Sequence, residues 1–158
     1  MAKPQATRRP LFVYGALRAF PLLAWALTGD ASKTHIVEPL ARPAKVKGYA
    51  RYALHNRDYP AVVKHASQEV YGYLLSLNTT SQRKKLDDFE GETYKVTPVL
   101  VILDDGSTVD ADIYVWDGDK DALTNEPWEL EKFVKERLAD WIDLFGGMKL
   151  VGEDSDEE

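Results

Sequence analysis

The sequence predicts an α+β domain, a small mixed or antiparallel β-barrel with flanking helices. Two observations carry this prediction. Short segments with the apolar composition or the alternation of strands recur along the chain, and the clearest two, residues 96–103 and 109–116, form a hairpin around the turn Asp104-Asp105-Gly106. Segments with helical spacing of apolar residues accompany them, and this mixture of element types is typical of α+β domains.

The chain begins with a strand and a helix. Residues 11–14, Leu-Phe-Val-Tyr, form a short apolar strand that is closed by Gly15. Pro21 suits the first turn of a following helix, where the N–H that proline lacks would have no partner, and Gly29 suits the helix end. We therefore expect the first strand to lead directly into a helix that ends at Gly29.

Further strands precede the second helix. They are expected at residues 46–54, 61–63 and 70–77. The segment Asn56-Arg57-Asp58-Tyr59-Pro60 is expected to form a loop, because the residue before a proline is biased towards extended geometry. The polar cluster at residues 78–81 is suited to capping a helix that carries Leu86 and Phe89 on one side.

The last predicted element is a long C-terminal helix. Asn125 is a candidate for its N-cap, and Gly146-Gly147 for its end. The aromatic residues of this segment, Trp128 among them, are expected in the core. Between the two boundaries, seven apolar residues recur at helical spacing: Leu130, Phe133, Val134, Leu138, Trp141, Ile142 and Phe145.

Length and charge limit what kind of protein this is. The 158 residues fit one domain, at residues 11–150, preceded by a flexible N-terminus at residues 1–10. The net charge of -6 arises from an acidic tail at residues 151–158, which we expect to be solvated and disordered. The rest of the chain is nearly neutral and lacks the basic excess of a nucleic-acid-binding protein, so no nucleic-acid partner is expected.

The residue types also limit the chemistry. The chain has no cysteine, so a disulfide framework, a thiolate nucleophile and a cysteine-ligated metal are excluded. His35, His55 and His65 lie far apart without ligand spacing, so no metal site is expected. No apolar stretch approaches the roughly 18 residues that span a membrane, and no secretory leader is recognised. These features favour a cytoplasmic protein without a membrane partner.

Two motifs carry candidate chemistry, and the first is Tyr14-Gly15-Ala16-Leu17. A chain that turns at a glycine just beyond a buried strand leaves successive backbone N–H groups available to one anion, such as a carboxylate. The adjoining Arg18 would add positive charge. The alternative is a purely structural turn, with Arg18 as a solvated loop residue.

The second motif is the segment of residues 86–94, Leu-Asp-Asp-Phe-Glu-Gly-Glu-Thr-Tyr. Its helix carries basic residues in the middle and acidic residues at the C-terminal end, which opposes the helix dipole. Repulsion among these carboxylates, added to any burial, would raise a carboxyl pKa towards neutral pH, where an acid/base group works best. The alternative is a polar helix terminus with Gly91 as its C-cap.

The order of the motifs resembles that of a known family. Tyr-Gly-x-Leu after the first strand, Tyr59-Pro60-Ala61 at a strand start, Gly72-Tyr73-Leu74 in a middle strand, and Leu-Asp-x-Phe-Glu-Gly-x-x-Tyr before a hairpin occur in the same order in the gamma-glutamylcyclotransferase-like family. The chain is similar in particular to the AIG2-like branch, known from plants and fungi. The resemblance runs from the first strand to the end of the hairpin, and a long C-terminal helix is also seen in that branch.

The resemblance implies a compact barrel without a cofactor and an enzyme that acts on a small-molecule γ-glutamyl substrate. The family's Tyr-Gly-Thr-Leu loop, which holds the substrate carboxylate, falls on Tyr14-Gly15-Ala16-Leu17, with Arg18 adjoining. Ala16 stands where threonine is usual. The family's catalytic glutamate falls on Glu90, and Tyr94 is expected to line the same pocket.

The implied reaction is cleavage of a γ-glutamyl amide by internal cyclisation, which gives 5-oxoproline and a released amine. Glu90 would move a proton between the two nitrogens while the loop orients the substrate. Two alternatives stay open: a catalytically silent binding or stress-response module on the same fold, and removal of a γ-glutamyl group from a specialised metabolite or isopeptide. The released amine, from glutathione, a γ-glutamyl amino acid or γ-glutamyl-lysine, and the oligomeric state do not follow from the sequence.

Overall fold

The computed structural model describes residues 9–91 and 93–146, with the side chains of residues 145 and 146 excluded. Most of the N-terminal segment that we expect to be flexible, and the whole acidic tail, lie outside the described residues. Five α-helices occur in the described part: α1 (Phe20–Thr28), α2 (Thr34–Val37), α3 (Thr80–Glu90), α4 (Leu130–Glu136) and α5 (Leu138–Gly146). Five strands accompany them: β1 (Leu11–Val13), β2 (Ala41–Ala53), β3 (Pro60–Leu75), β4 (Tyr94–Leu103) and β5 (Thr108–Trp116).

The five strands close into a barrel in the spatial order β1-β3-β2-β4-β5. Strand β1 pairs in parallel with β5, and all the other neighbouring pairs are antiparallel. The predicted α+β fold with a small mixed barrel is confirmed. The predicted hairpin is also confirmed as β4 and β5, and Gly106 in its turn has a φ of 86°.

Strand β1 lies at the centre of the packing, because it pairs with β3 on one side and β5 on the other. Its residues Leu11, Phe12 and Val13 are all buried. A glycine on β3 permits this close pairing: a Cβ added at Gly72 would lie only 2.2 Å from the carbonyl oxygen of Val13. The strand therefore ends at a fixed place on the barrel, and the Tyr14 motif begins there.

Two apolar layers surround this strand. The first fills the barrel, because it takes buried residues from every strand: Phe12, Val46, Val62, Val70, Val101 and Ile113. The second lies between the barrel and the helices: Leu11, Leu22, Leu23, Leu75, Leu86 and Phe133. Trp128 and Phe133 are buried in the second layer, as the sequence predicts, and Trp141 packs against it.

Strand β3 differs from the prediction, which divided it into strands at residues 61–63 and 70–77. The structure has a single strand, Pro60–Leu75, which pairs with β2 through residues 60–64 and 69–75, on either side of a register shift between Lys47 and Tyr49. The side chains in the middle of β3 are largely exposed and polar, so this stretch has the composition of a loop. Residues 65–68 in this stretch have no partner on β2, but the residues on both sides of them pair with β2 and keep the chain in one strand.

The C-terminal helix also differs from the prediction. Two helices, α4 and α5, replace one, and Arg137 between them has a φ of -126°. Residue Glu129, not Asn125, precedes the first turn of α4. The Arg137 guanidinium at the break lies 2.9 Å from the Asp58 carboxylate, to which the Trp141 indole also donates at 2.8 Å. The loop before β3 is thus held against the last helix.

Helix α3 is fixed to the barrel by a buried arginine. Thr79 caps the helix: its hydroxyl accepts the Gln82 N–H at 3.1 Å, as the polar cluster predicts. Four residues after Thr79, the Arg83 side chain is only 2% exposed. Its guanidinium lies 2.9 Å from the carboxylate of Asp112 on β5 and donates to the Arg9 carbonyl at 3.2 Å. The C-terminal end of α3 is therefore held at the β1 and β5 side of the barrel.

No helix among residues 9–91 and 93–146 is both long enough and apolar enough to cross a membrane.

We expect Arg83→Met to lower the free energy of unfolding by about 1–3 kcal/mol, because it leaves Asp112 Oδ2 without its partner while Arg9 still pairs with Oδ1 at 3.0 Å. Urea titration of the purified variant measures this loss. Lys84→Met is the matched control, since Lys84 pairs with Asp88 at the surface and its loss is expected to cost only about 0.3–0.5 kcal/mol. Equal losses in the two variants would contradict the structural role of Arg83.

Candidate functional site

Glu90 is the last residue of α3, and the chain turns sharply after it. Gly91 adopts a φ of 81°, a left-handed value that favours glycine, and its N–H donates to the Asp87 carbonyl at 3.2 Å. Gly91 therefore is a C-cap, as the structural alternative in the sequence analysis proposes. The turn also brings β4, which starts at Tyr94, back beside the Glu90 side chain.

Three tyrosines lie near enough to the Glu90 carboxyl for its charge to affect their pKa values. The Glu90 charge raises the pKa of Tyr14, Tyr94 and Tyr114, in each case after the larger effect of burial. The structure therefore brings together Tyr14, Glu90 and Tyr94, which the sequence analysis placed in one site. Tyr114 joins them from β5 without any sequence signal that distinguishes it from an ordinary strand residue.

The Glu90 carboxyl has an unusual electrostatic environment. Although the residue keeps some accessible surface, no hydrogen bond or ion pair to its carboxyl is found within the described part of the chain. Burial raises its pKa from 4.5 to about 7, and the neighbouring Asp87 charge adds to this effect. The expected repulsion between carboxylates is thus present, but burial is the larger cause.

The other acidic residues of α3 are paired, and this distinguishes them from Glu90. Asp87 accepts from Arg83 at 2.9 Å and from the Tyr114 hydroxyl at 2.6 Å. Asp88 accepts from Lys84 at 2.9 Å. Both ion pairs join residues four positions apart on the helix, where side chains are neighbours. The basic residues in the middle of the helix therefore stabilise the first two carboxylates and leave the third without a cation.

Tyr14 ties the end of β1 to β5. Its side chain is buried, and its hydroxyl donates to the Tyr114 carbonyl at 2.5 Å. The next residue, Gly15, lies against Pro60: an added Cβ would be 2.9 Å from two ring carbons of that proline. Only glycine permits this approach, so the Tyr-Gly pair and the Tyr-Pro pair of the sequence motifs pack directly together.

Residues Ala16–Arg18 form a 3-10 turn. The Arg18 N–H donates to the Gly15 carbonyl at 3.0 Å, and the Ala19 N–H to the Ala16 carbonyl at the same distance. The side chains of Ala16 and Leu17 are buried in the layer beneath the helices. Their N–H groups open the turn and have no acceptor within it. The motif therefore uses its side chains for packing, and its backbone donors are the groups left for a ligand.

Tyr94 lines the other side of Glu90. Its hydroxyl donates to the Pro60 carbonyl at 2.7 Å, so it is anchored to the start of β3. Its ring makes edge contacts with Trp116 at 5.4 Å and with Tyr114 at 6.4 Å between centroids. An aromatic wall next to a carboxyl excludes water, which agrees with the raised pKa of Glu90.

Arg51 is a residue of this region that the sequence analysis missed. Its Nη1 donates to the Tyr14 carbonyl at 2.8 Å and to the Tyr71 carbonyl at 3.0 Å. Arg18 donates more weakly to the same Tyr14 carbonyl, at 3.4 Å. Burial, together with the nearby Arg18 charge, lowers the pKa of Arg51 to about 10. The only sequence signal was an arginine within the strand-like segment Tyr49-Ala50-Arg51-Tyr52.

The described residues form no metal centre, and a surface depression that they line lies apart from this site. No group of three or more histidine, aspartate or glutamate side chains in residues 9–91 and 93–146 is arranged to hold a metal ion. An open depression between β2 and β4 contains none of the residues around Glu90. It is lined by Lys47, Tyr49, Pro98, Val99, Leu100 and Ile102.

Comparison with known proteins identifies the family. The model of the family described as gamma-glutamyl cyclotransferase, AIG2-like, matches residues 11–133. The chain belongs to this family. The resemblance seen in the sequence motifs is thereby confirmed, and the match includes the Tyr14 motif, Glu90 and Tyr94.

Relatives of this AIG2-like chain are found among plant proteins and solved structures. It is 27% identical to Protein AIG2 C of Arabidopsis thaliana over 139 residues, which cover 87% of this chain and 79% of that protein. It is 29% identical to AIG2-like protein C of the same plant over 133 residues, which cover 84% of this chain and 73% of that protein. A solution structure from Arabidopsis thaliana aligns with a TM-score of 0.60 at 24% identity, covering 89% of this chain and 91% of that one. A solved structure of a gamma-glutamyl cyclotransferase aligns with a TM-score of 0.54 at 13% identity, covering 95% of this chain and 93% of that one. The two proteins therefore share the fold.

We expect the Glu90 carboxyl to titrate with a midpoint near pH 7, and Asp87→Asn to lower that midpoint, because the variant removes the nearby negative charge. Carbon-detected NMR of ¹³C-labelled glutamate side chains measures both values, with Glu90→Gln used to assign the resonance. Asp88→Asn is the control, since Asp88 does not contribute to the shift. A wild-type midpoint near the ordinary 4.5 would contradict the environment described above.

We expect Glu90→Gln to be more stable than the wild type at pH 8 and equally stable at pH 4. Between pH 4.5 and about 7 the unfolded chain loses the Glu90 proton while the folded protein keeps it, so wild-type stability falls as pH rises. Above about pH 7 the folded protein also carries the Glu90 charge, so the stability of the wild type falls no further. Urea midpoints of both proteins at the two pH values test this. A variant that is less stable than the wild type at pH 8 would show that the carboxylate stabilises the fold.

Proposed function

We propose that the protein is a γ-glutamyl cyclotransferase, which cleaves a γ-glutamyl amide by internal cyclisation and releases 5-oxoproline and an amine. Glu90 is the general acid/base in this proposal. The segment Tyr14-Gly15-Ala16-Leu17 and Arg18 bind the substrate carboxylate, and Tyr94 lines the site. Membership in the gamma-glutamyl cyclotransferase, AIG2-like family supports the reaction type.

The observation that carries the proposal is the state of Glu90. A general acid/base works best when its pKa lies near the operating pH, and burial raises the pKa of Glu90 to about 7. Its carboxyl makes no ion pair within the described residues, so the proton is not held by a structural partner. In contrast, Asp87 and Asp88 on the same helix are paired with cations.

The reaction needs no enzyme nucleophile, because the substrate supplies one. Its α-amine attacks its γ-carbonyl carbon, and a new carbon–nitrogen bond closes a five-membered ring. The Glu90 carboxylate takes a proton from the attacking nitrogen and gives it to the nitrogen of the amide that breaks. The ring leaves as 5-oxoproline, and the other fragment leaves as a neutral amine.

The loop contributes by orientation. Attack within one molecule is fast when the reacting atoms are held in the right geometry. The N–H groups at the start of the Ala16–Arg18 turn can hold the α-carboxylate, which fixes the α-amine relative to Glu90. Ala16 stands where the family usually has threonine, but the Ala16 side chain is buried and only its backbone takes part here.

The proposal is tested with wild type and Glu90→Gln, each incubated with γ-glutamyl-alanine, γ-glutamyl-ε-lysine and glutathione. We expect wild type to release 5-oxoproline from at least one donor. Because an acid/base group contributes about 10²- to 10⁴-fold, the variant should lose that factor in kcat. Mass spectrometry of 5-oxoproline measures both rates and identifies the released amine.

Asp88→Asn is the matched control, since it removes an acidic residue from the same helix end that is paired at the surface. It should keep wild-type turnover. Equal turnover in wild type and Glu90→Gln would exclude Glu90 from the mechanism. No 5-oxoproline from any donor, with binding of the donors retained, would favour a catalytically silent module on the same fold.

A further inference from the structure

The loop between β2 and β3, residues 54–59, borders the proposed site. The Tyr59 ring lies 6.4 Å from the Tyr94 ring between centroids. The next residue, Pro60, accepts the Tyr94 hydroxyl through its carbonyl at 2.7 Å. Tyr94 is near Glu90, since the Glu90 charge raises its pKa after the larger effect of burial. The position of this loop therefore fixes one wall of the site.

One residue of the loop, Asp58, is held by the C-terminal part of the chain. Its backbone carbonyl accepts the Trp128 indole N–H at 2.7 Å. Its Oδ2 accepts from Arg137 Nε at 2.9 Å and from the Trp141 indole at 2.8 Å. Three donors from the segment that forms α4 and α5 thus meet at a single position of the loop.

This contact is better suited to positioning than to stabilising. The side chains of Arg137 and Asp58 are 46% and 29% exposed, and exposed ion pairs contribute little to the free energy of unfolding. Hydrogen bonds are directional, however, and two of them end on the same carboxylate oxygen. The Trp141 ring also packs edge-on against Tyr59, at 6.2 Å between centroids. The contact therefore sets where the Tyr59 ring lies.

We propose that Asp58 is a positioning residue for the acid/base site. Anchored to the C-terminal helices, it holds the Tyr59 ring against Tyr94 and so limits the access of water to the Glu90 carboxyl. Both side chains that bind its carboxylate lie beyond residues 11–133, the part that the family model matches. The expected effect on turnover rests on the proposed cyclotransferase function, whereas the effect on Glu90 does not.

The path from the loop to Glu90 is short. Tyr59 directly follows Asp58, and it packs with Tyr94 in the apolar cluster that contains Trp116. Burial is the larger cause of the raised pKa of Glu90. A loop that moves away from Tyr94 would admit water, favour the carboxylate and lower that pKa.

The other titratable groups near Glu90 are held independently of this loop. Asp87, on the same helix, accepts from Arg83 and from the Tyr114 hydroxyl. Tyr14, at the end of β1, donates to the Tyr114 carbonyl. A change in the Glu90 pKa after a substitution in the loop therefore reports a change in burial.

Arg57 is a charged neighbour of Asp58 in the loop. It is exposed, stacks over the Tyr59 and Trp116 rings and is not among the causes of the Glu90 shift. Loss of its charge near the site would disfavour the Glu90 carboxylate and so raise the pKa, which is the opposite of the proposed effect.

The first test is the titration of Glu90 by carbon-detected NMR. In Asp58→Ala we expect the midpoint to fall from about 7 towards 4.5. Trp141→Phe keeps an aromatic ring beside Tyr59 but removes the indole donor, so it should give a smaller fall in the same direction. Arg137→Lys should stay closer to wild type than Arg137→Gln, since lysine retains the charge.

Asp140→Asn is the matched control. Asp140 pairs with the same Arg137 guanidinium at 3.0 Å, but it is 65% exposed and lies on α5 rather than on the loop. Its variant should keep the wild-type midpoint. Urea titration shows which variants are folded, and Trp141→Phe and Arg137→Gln carry the test if Asp58→Ala is not. Folded variants at Asp58, Arg137 and Trp141 that all keep the wild-type midpoint would overturn the inference.

The pH profile of turnover separates this inference from the proposed function. In Asp58→Ala we expect the acid limb of kcat/KM to move to lower pH. The plateau kcat should fall about tenfold, because a carboxylate of lower pKa is a weaker base. If no donor yields 5-oxoproline but the Glu90 midpoint falls, the cyclotransferase proposal fails and the positioning role stands. If turnover occurs while midpoint and acid limb both stay at their wild-type values, the positioning role fails alone.

Discussion

The buried guanidinium of Arg83 is the interaction on which the site depends. It meets three acceptors, Asp87 on its own helix and, from distant parts of the chain, Asp112 on β5 and the Arg9 carbonyl just before β1. A buried charge is tolerated only when its hydrogen bonds are satisfied, so α3 can lie against the barrel in only one orientation. That orientation places the helix end, and with it Glu90, beside the tyrosines of β4 and β5.

The same network explains how one carboxylate among several becomes a candidate acid/base group. Arg83 and the Tyr114 hydroxyl donate to the Asp87 carboxylate, and the Asp87 charge disfavours ionisation of Glu90 three residues later. Burial acts in the same direction. The site therefore combines a carboxyl with a raised pKa on one side of Tyr14 and an uncompensated arginine pair on the other.

The sequence predicted those elements whose signals are local. Gly29 ends α1 with a φ of 81°, Thr79 caps α3 through its hydroxyl, and Gly106 provides the left-handed turn of the hairpin. Two elements were misjudged because their signals were not local. The exposed polar middle of β3 looks like a loop, yet the residues on both sides of it pair with β2, and the whole segment is one strand. The apolar spacing of the last helix continues through Arg137, whose backbone nevertheless breaks the helix.

The sequence by itself determined the fold class, the order of the motifs and the candidate residues Tyr14, Glu90 and Tyr94, because glycine turns, caps and apolar spacing depend on neighbouring residues. Only the tertiary structure decided which groups surround Glu90 and that Arg51 joins Arg18 at the Tyr14 carbonyl. The clustered carboxylates predicted repulsion that raises a carboxyl pKa, but the burial that is the larger cause for Glu90, and the arginine pair, come from residues far apart in the chain and leave no pattern in the sequence. The chemistry is thus encoded by position in the fold, and the motifs mark only where to look for it.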